Sequence, residues 1–180
     1  RTTKLSAEQF EAFTSMNYPP LAESGVHLNF NQDFLEEPTY DKKLIVRKNL
    51  CSDIAILKLF PGIPMAVVKS ILTINNLKGI VMETYGAGNA PNNKEFIDLL
   101  SDAISKGLYI VNVTQCVGGS VLPGHYETSS LLKNIGVIDA KDMTTESAIA
   151  KLMYLLGIGV EKDKFAHYFK QSLRGEITNK

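Results

Sequence analysis

The sequence predicts an α/β protein: a small doubly wound parallel sheet flanked by helices, preceded by the tail of another α/β domain and a linker. Three observations carry that expectation. Between Ile54 and Val113, strand-length apolar runs alternate with amphipathic stretches of helical period. Strand, helix and strand joined by short links require parallel pairing with right-handed crossovers. From Thr128 onward the apolar period stays near 3.6, which supplies further helices for the faces of the sheet. Before Asp53 the chain shows one short apolar-faced segment and then a long polar stretch, so a separate unit and a connection are expected there.

The elements follow in order. Ser6 and Gln9 have capping-box spacing, and Phe10, Phe13 and Met16 share a helical face, so a short helix is expected until Tyr18-Pro19-Pro20 stops it. Val26-His27-Leu28 reads as a brief strand. Asn29 to Asp53 reads as linker, with a strand at Leu44 to Val46. Ile54 to Phe60 is the first strand of the regular part. Pro61-Gly62 turns the chain, and Pro64 opens a helix carrying Val67, Val68, Ile71 and Leu72. Gly79 to Met82 is the next strand, and Asn92 or Asn93 caps a helix that Gly107 closes. Leu108 to Val113 is the third strand. Helices are then expected at Thr128–Asn134, Thr145–Leu156 and Glu161–Leu173.

Composition narrows the function. The 19 basic residues balance the 19 acidic ones, so the basic excess of a phosphate-gripping nucleic-acid binder is absent. Two cysteines, Cys51 and Cys116, fit a reducing compartment better than a disulfide scaffold. No apolar run approaches the ~20 residues of a membrane span, and the start has no signal-peptide pattern. A soluble, cytoplasmic protein is expected. The first residue is Arg rather than Met, so a piece of a longer protein is expected too.

Ligands of open parallel sheets meet the loops at the carboxyl ends of the strands. Those loops are Pro61–Pro64, Glu83–Pro91 and Thr114–Ser120. Gly86-Ala87-Gly88 has Pro91 where a dinucleotide fingerprint needs its third glycine, so these glycines read as turn formers. Asn89 can both donate and accept toward a small polar ligand. Cys116 follows a strand with His125 nine residues on, but Gln115 stands where a nucleophile elbow wants glycine. A buried or half-buried structural cysteine is the expectation, and full activity in Cys116→Ser would sink a thiol mechanism. His27, His125 and His167 have no zinc-binding spacing, and His167 reads as a rim residue. Tyr126-Glu127 follows a Pro-Gly turn, and Asp139, Asp142 and Glu146 read as turn and capping residues.

Taken in order, several segments point to one family. They are Arg1-Thr2-Thr3-Lys4, Asn17 to Ala22, Tyr85 to Pro91, Asn112 to Cys116, Gly136-Val137-Ile138 with Asp142-Met143-Thr144, Lys151 to Leu156, and Leu173-Arg174-Gly175-Glu176. This series resembles the C-terminal portion of cytoplasmic, type I L-asparaginases, across nearly the whole chain. The resemblance implies hydrolysis of L-asparagine to L-aspartate and ammonia by a threonine nucleophile, with no metal or other cofactor. The family's T-G-G-T-I and H-G-T-D-T segments do not occur here, so this piece by itself is expected to be inactive.

The resemblance also divides the chain: 1–28 as the tail of a missing catalytic N-terminal domain, 29–53 as interdomain linker, and 54–180 as the C-terminal domain. It makes Lys4 the candidate proton-relay residue. It makes Tyr85, Gly88, Asn89, Tyr126 and Glu127 the residues that close a neighbouring subunit's pocket in a homo-oligomer, dimer or tetramer. Thr114, Gln115 and Cys116 match a regulatory L-asparagine site. Glu83 stands where that site has an arginine, and a carboxylate repels rather than clamps an amino acid's carboxylate. The D subunit of an archaeal-type glutamyl-tRNA amidotransferase is the rival enzyme, and a free amino-acid-binding regulatory domain is the rival of another class. Neither nucleic acid nor membrane is an expected partner.

Overall fold

Four strands carry the regular part of the protein: β5 (Ile54–Lys58), β6 (Gly79–Thr84), β7 (Tyr109–Thr114) and β8 (Ile138–Asp139). In the computed structural model, which describes residues 1–35, 40, 43–122 and 127–178 (of Glu127 only the backbone), they form one parallel sheet in the order β5-β6-β7-β8. Between and after them lie α1 (Met65–Leu72), α2 (Lys94–Ser105), α3 (Glu127–Asn134), α4 (Thr145–Gly157) and α5 (Lys162–Lys170).

Alternation along the strands makes two cores. Leu57, Ile80, Met82 and Ile110 point to one face, against Val68 of α1, Phe96 and Leu100 of α2 and Leu132 of α3. Val81, Val111 and Val113 point to the other, against Leu152 and Leu155 of α4 and Phe165 and Phe169 of α5. A fully buried side chain of this size contributes about 1.5–3 kcal/mol. Helices therefore cover both faces, as the sequence predicts. Because the strand order follows the sequence, α1 to α3 cover the first face and the terminal α4 and α5 cover the second. Asn93 caps α2 by accepting from the Phe96 amide at 2.7 Å, and Thr144 caps α4 by accepting from Ser147.

The first 35 residues differ from expectation. The region of the predicted helix is a two-stranded antiparallel pair, β1 (Thr3–Lys4) with β2 (Phe13–Thr14). Ser6 Oγ does accept from the Glu8 and Gln9 amides, yet the turn runs into a hairpin closed by the Leu5 amide on Ala12 O at 2.7 Å. Phe10, Phe13 and Met16 are all exposed, so no buried face selects a helix. The brief strand falls two residues later, as β4 (Leu28–Phe30), and pairs with β3 (Ala22–Ser24), which the sequence did not signal. Leu44 to Val46 forms no strand, and α5 ends at Lys170 rather than Leu173. β8 was likewise unsignalled, being two residues long.

Two charged groups pin the periphery. The Arg1 guanidinium donates to Asp142 Oδ2 at 2.5 Å and to Asn17 O, Thr178 Oγ1 and Gly175 O, and it lies 4.7 Å over the Tyr18 ring. Lys151 of α4 is 3% exposed and donates to Glu176 Oε1 at 2.5 Å and to Gln171 O. The Glu176 carboxylate also receives the Leu173 and Arg174 amides, which builds the C-terminal turn. Burial opposes charge on both carboxyls. At Asp142 the Thr178 hydroxyl and amide and the Arg1 charge outweigh it, and at Glu176 Lys151 and the amides do, so both stay below the usual carboxylate value.

The stretch just before β5 meets α4 closely. A Cβ built on Gly157 would lie 2.2 Å from Asn49 O, and the Cys51 amide donates to Met153 O at 3.0 Å. Gly157→Ala is expected to cost about 1–3 kcal/mol, read as a lowered thermal unfolding midpoint, because backbone rather than a side chain must move. Acid titration gives a second test. A carboxyl held below its unfolded value contributes stability that is full above that value and is lost as pH falls through the folded one. Asp139, raised by burial against the pull of the Lys141 amide, works in the opposite sense. The share of stability carried by Asp142 and Glu176 is therefore expected to be lost as pH falls below about 5, and Asp142→Asn to flatten that part of the acid profile.

Candidate functional site

The carboxyl ends of β6 and β7 and the first turn of α4 surround a cavity of about 340 Å³. The geometry of a parallel sheet sets this place: strand ends point the same way, and their loops converge there. The wall includes Glu83, Thr114, Gln115 and Cys116, so the structure brings the four candidate effector residues together. It adds Thr3, Asn17, Thr145 and Glu146, which sequence reasoning did not place there.

Most polar groups of this wall are engaged with the chain itself. Gln115 Nε2 donates to Leu59 O at 2.6 Å and to Glu83 O at 2.9 Å, tying the ends of β5 and β6. The Thr114 hydroxyl donates to Gly86 O at 2.5 Å and accepts from the Cys116 amide at 3.0 Å. Glu83 Oε1 accepts from the Thr145 hydroxyl at 2.7 Å, and Oε2 lies 3.2 Å from Lys58 Nζ. Glu146 Oε1 accepts from the Thr3 hydroxyl at 2.6 Å. The Cys116 side chain belongs to an exposed residue, not to the buried or half-buried one expected, because the turn after β7 carries it past the edge of the sheet.

A second cluster sits on the loop after β6. Tyr85 and Asn89 exchange backbone hydrogen bonds, each at 2.8 Å, across a turn whose Gly86 and Gly88 have φ of +47° and +105°. The buried Thr84 hydroxyl donates to Asn112 Oδ1 at 2.6 Å, and Asn112 Nδ2 reaches Gly88 O at 3.5 Å, so the turn hangs from β7. Asn89 Oδ1 accepts from the Thr128 hydroxyl of α3 at 3.4 Å. The Tyr85 hydroxyl is buried without a hydrogen-bond partner among the described residues, and burial pushes it above the usual tyrosine value. Glu127 opens α3 beside Thr128; Tyr126 and His125 lie outside the described residues.

Lys4 is in neither cluster. It is exposed on β1 with Nζ 5.9 Å from the Phe13 ring centroid, while Thr3 turns to Glu146. Asp142 does more than the turn role expected of it, through its bonds to Arg1 and Thr178. Asn17 was the less visible anchor: its side chain donates to Gly119 O and Asp142 O and accepts from the Gly119 amide, each at 2.8 Å. Cys51 is half-buried, with Sγ 3.9 Å from Asp53 Oδ2, and His167 pairs with Gln171 at 2.8 Å on the outside of α5.

The glutaminase/asparaginase C-terminal domain family matches residues 53–169. The chain belongs to that family. Escherichia coli L-asparaginase 1 is 39% identical over 178 residues, which cover 99% of this chain and 52% of that protein. A 60 kDa lysophospholipase of Mus musculus is 38% identical over 99% of this chain and 31% of its own length. Among solved structures, L-asparaginase I from Vibrio cholerae superposes with a TM-score of 0.89 at 34% identity, over 99% of this chain and 53% of that one. The rival enzyme, a glutamyl-tRNA(Gln) amidotransferase represented by its D subunit from Pyrococcus abyssi, is more distant at 29%. This asparaginase C-terminal domain, with its leading arm, thus spans about half the length of the Escherichia coli and Vibrio cholerae L-asparaginases. Among the described residues no helix is long and apolar enough to cross a membrane.

Two glycines separate conformational strain from close packing in the loop after β6. A Cβ on Gly88 would lie 2.6 Å from Val121 Cγ1, whereas one on Gly86 would meet nothing within 4 Å. Gly86→Ala is expected to cost about 1 kcal/mol and Gly88→Ala about 2–3 kcal/mol, compared by chemical denaturation.

Proposed function

We propose that this chain is the C-terminal half of an L-asparaginase that hydrolyses L-asparagine to L-aspartate and ammonia in the cytoplasm as a homo-oligomer. The observation that carries this reading is the unbroken similarity, 39% over 178 residues, to an enzyme of that name. A solved structure named as a probable cytoplasmic L-asparaginase, from Campylobacter jejuni, supports the compartment. The arm supports the domain division. Phe10, Phe13, Met16, Val26 and Phe30 are exposed within residues 1–35, as expected where a tail has lost the body of its domain. On this reading residues 1–28 belong to the catalytic domain, 29–53 connect, and 54–180 form the C-terminal domain.

The roles follow. Lys4 is the proton-relay residue, exposed here because the groups it serves are on the other half. A threonine supplied by that half attacks the amide, which needs an adjacent base and an oxyanion site. Tyr85, Gly88 and Asn89, with Tyr126 and Glu127, close the pocket of a neighbouring subunit. The cavity at Glu83, Thr114, Gln115 and Cys116 is a candidate effector site.

Ammonia release tests the reading. The chain alone is expected to release none from L-asparagine. Mixed with a separately produced N-terminal half that carries the threonine segments, it is expected to become active. Lys4→Met is expected to lower that activity by about 10²-fold or more. Activity from the chain alone, or stable association of the halves without ammonia release, would overturn it.

A further inference from the structure

We propose that Arg1 is a positioning residue: seated in a socket built by Asp142 and the C-terminal turn, it sets where the following strand presents Lys4. The consequence for catalysis rests on reading Lys4 as the proton-relay residue; the anchoring does not.

β1 pairs with β2 over two residues only, and the Leu5 amide closes the hairpin on Ala12 O. A hairpin this short does not hold its own register in water. A slip of one residue would move Lys4 by ~3.3 Å and turn its side chain to the opposite face. The register is fixed from outside. Arg1, three residues before Lys4, is 7% exposed and donates four hydrogen bonds. Three reach the far end of the chain, at Asp142 Oδ2, Gly175 O and Thr178 Oγ1. The fourth reaches Asn17 O, just past β2. Asn17 is itself tied to Gly119 and to Asp142 O, so both strands of the hairpin run into one socket. Two further ties follow: Thr2 O accepts from the Thr144 hydroxyl at 3.5 Å, and Thr3 donates to Glu146 Oε1 at 2.6 Å. Lys4 is exposed and turns away from these ties, with Nζ 5.9 Å from the Phe13 ring centroid.

The socket draws its own shape from α4. Glu176 receives the Leu173 and Arg174 amides and the Lys151 ammonium, and this folds the turn that offers Gly175 O to Arg1. Lys151 is 3% exposed, and parting so buried a pair would leave an uncompensated charge. The connection from the core to Lys4 therefore runs through Lys151, Glu176, Gly175 and Arg1.

Amide hydrogen exchange of the 180-residue chain tests the anchoring. Arg1→Gln is expected to speed exchange at the Leu5 amide about tenfold or more, while β6 and β7 keep their protection. Thr3→Val is expected to act in the same direction more weakly, and it carries the test if Arg1→Gln unfolds the whole chain. The second readout is ammonia release by the mixture with the N-terminal half. There Arg1→Gln is expected to lower kcat about ten- to hundredfold and to change KM less than about threefold. In a Lys4→Met background the same substitution is expected to cost less than about twofold, since an absent lysine cannot be misplaced. Unchanged exchange at Leu5 in the folded variants, or equal kcat losses with and without Lys4, would overturn the proposal. A wild-type mixture that associates but releases no ammonia would refute the asparaginase reading instead, and the exchange at Leu5 would still decide the anchoring.

Discussion

Burial of β6 on both faces is the constraint from which the rest of this structure follows. Ile80, Val81 and Met82 are all fully buried, although they point alternately to opposite sides. A strand without a wet face cannot exist in a two-layer protein, so helices must be supplied above and below. α1, α2 and α3 supply one layer as the crossovers between successive strands. The second layer has no crossover to draw on, and the chain provides it by adding α4 and α5 after the last strand. α4 approaches closely enough that a Cβ on Gly79 would lie 2.8 Å from Leu152 Cδ2.

That second layer also shapes the edge that lines the cavity. The first turn of α4 ends up beside the carboxyl ends of β6 and β7, and Thr145 comes within hydrogen-bond reach of Glu83. The arm is fastened to the same place by charge rather than by apolar packing. Arg1, 7% exposed, holds Asp142, and Asn17 spans Gly119 and Asp142. Groups as buried as these are stable only when every donor and acceptor is met, so the geometry they impose is specific. An apolar contact would tolerate sliding; this network does not.

The parallel sheet was legible in the sequence because its signal is redundant. Apolar runs, turn glycines and capping residues all agree between Ile54 and Gly107, and tertiary burial confirms rather than overrides them. The arm was illegible for the opposite reason. Phe10, Phe13 and Met16 are spaced for a helix, but nothing described covers them, so their spacing decides nothing and backbone pairing between Leu5 and Ala12 does. The cavity was half legible. Thr114, Gln115 and Cys116 announce a loop at a strand end, whereas Thr3, Asn17 and Glu146 reach it from sequence positions far away, and periodicity is silent about such pairings. Cys116 went the wrong way because an apolar-like residue after a strand is usually buried, and here the loop carries it outward.

The strap of Asn49 to Cys51 across the end of α4 limits how this protein can vary in length. With no room for a side chain at Gly157 and a hydrogen bond fixing Cys51 to Met153, the register between this stretch and the helix is set. An inserted or deleted residue after Asn49 would shift both anchors and the entry into β5 together. One placed earlier would change only the chain leading up to the strap. Tolerance to length change in the connection is therefore one-sided, with its boundary at Asn49, and a family of such proteins would be expected to differ in length before that point and to keep step after it.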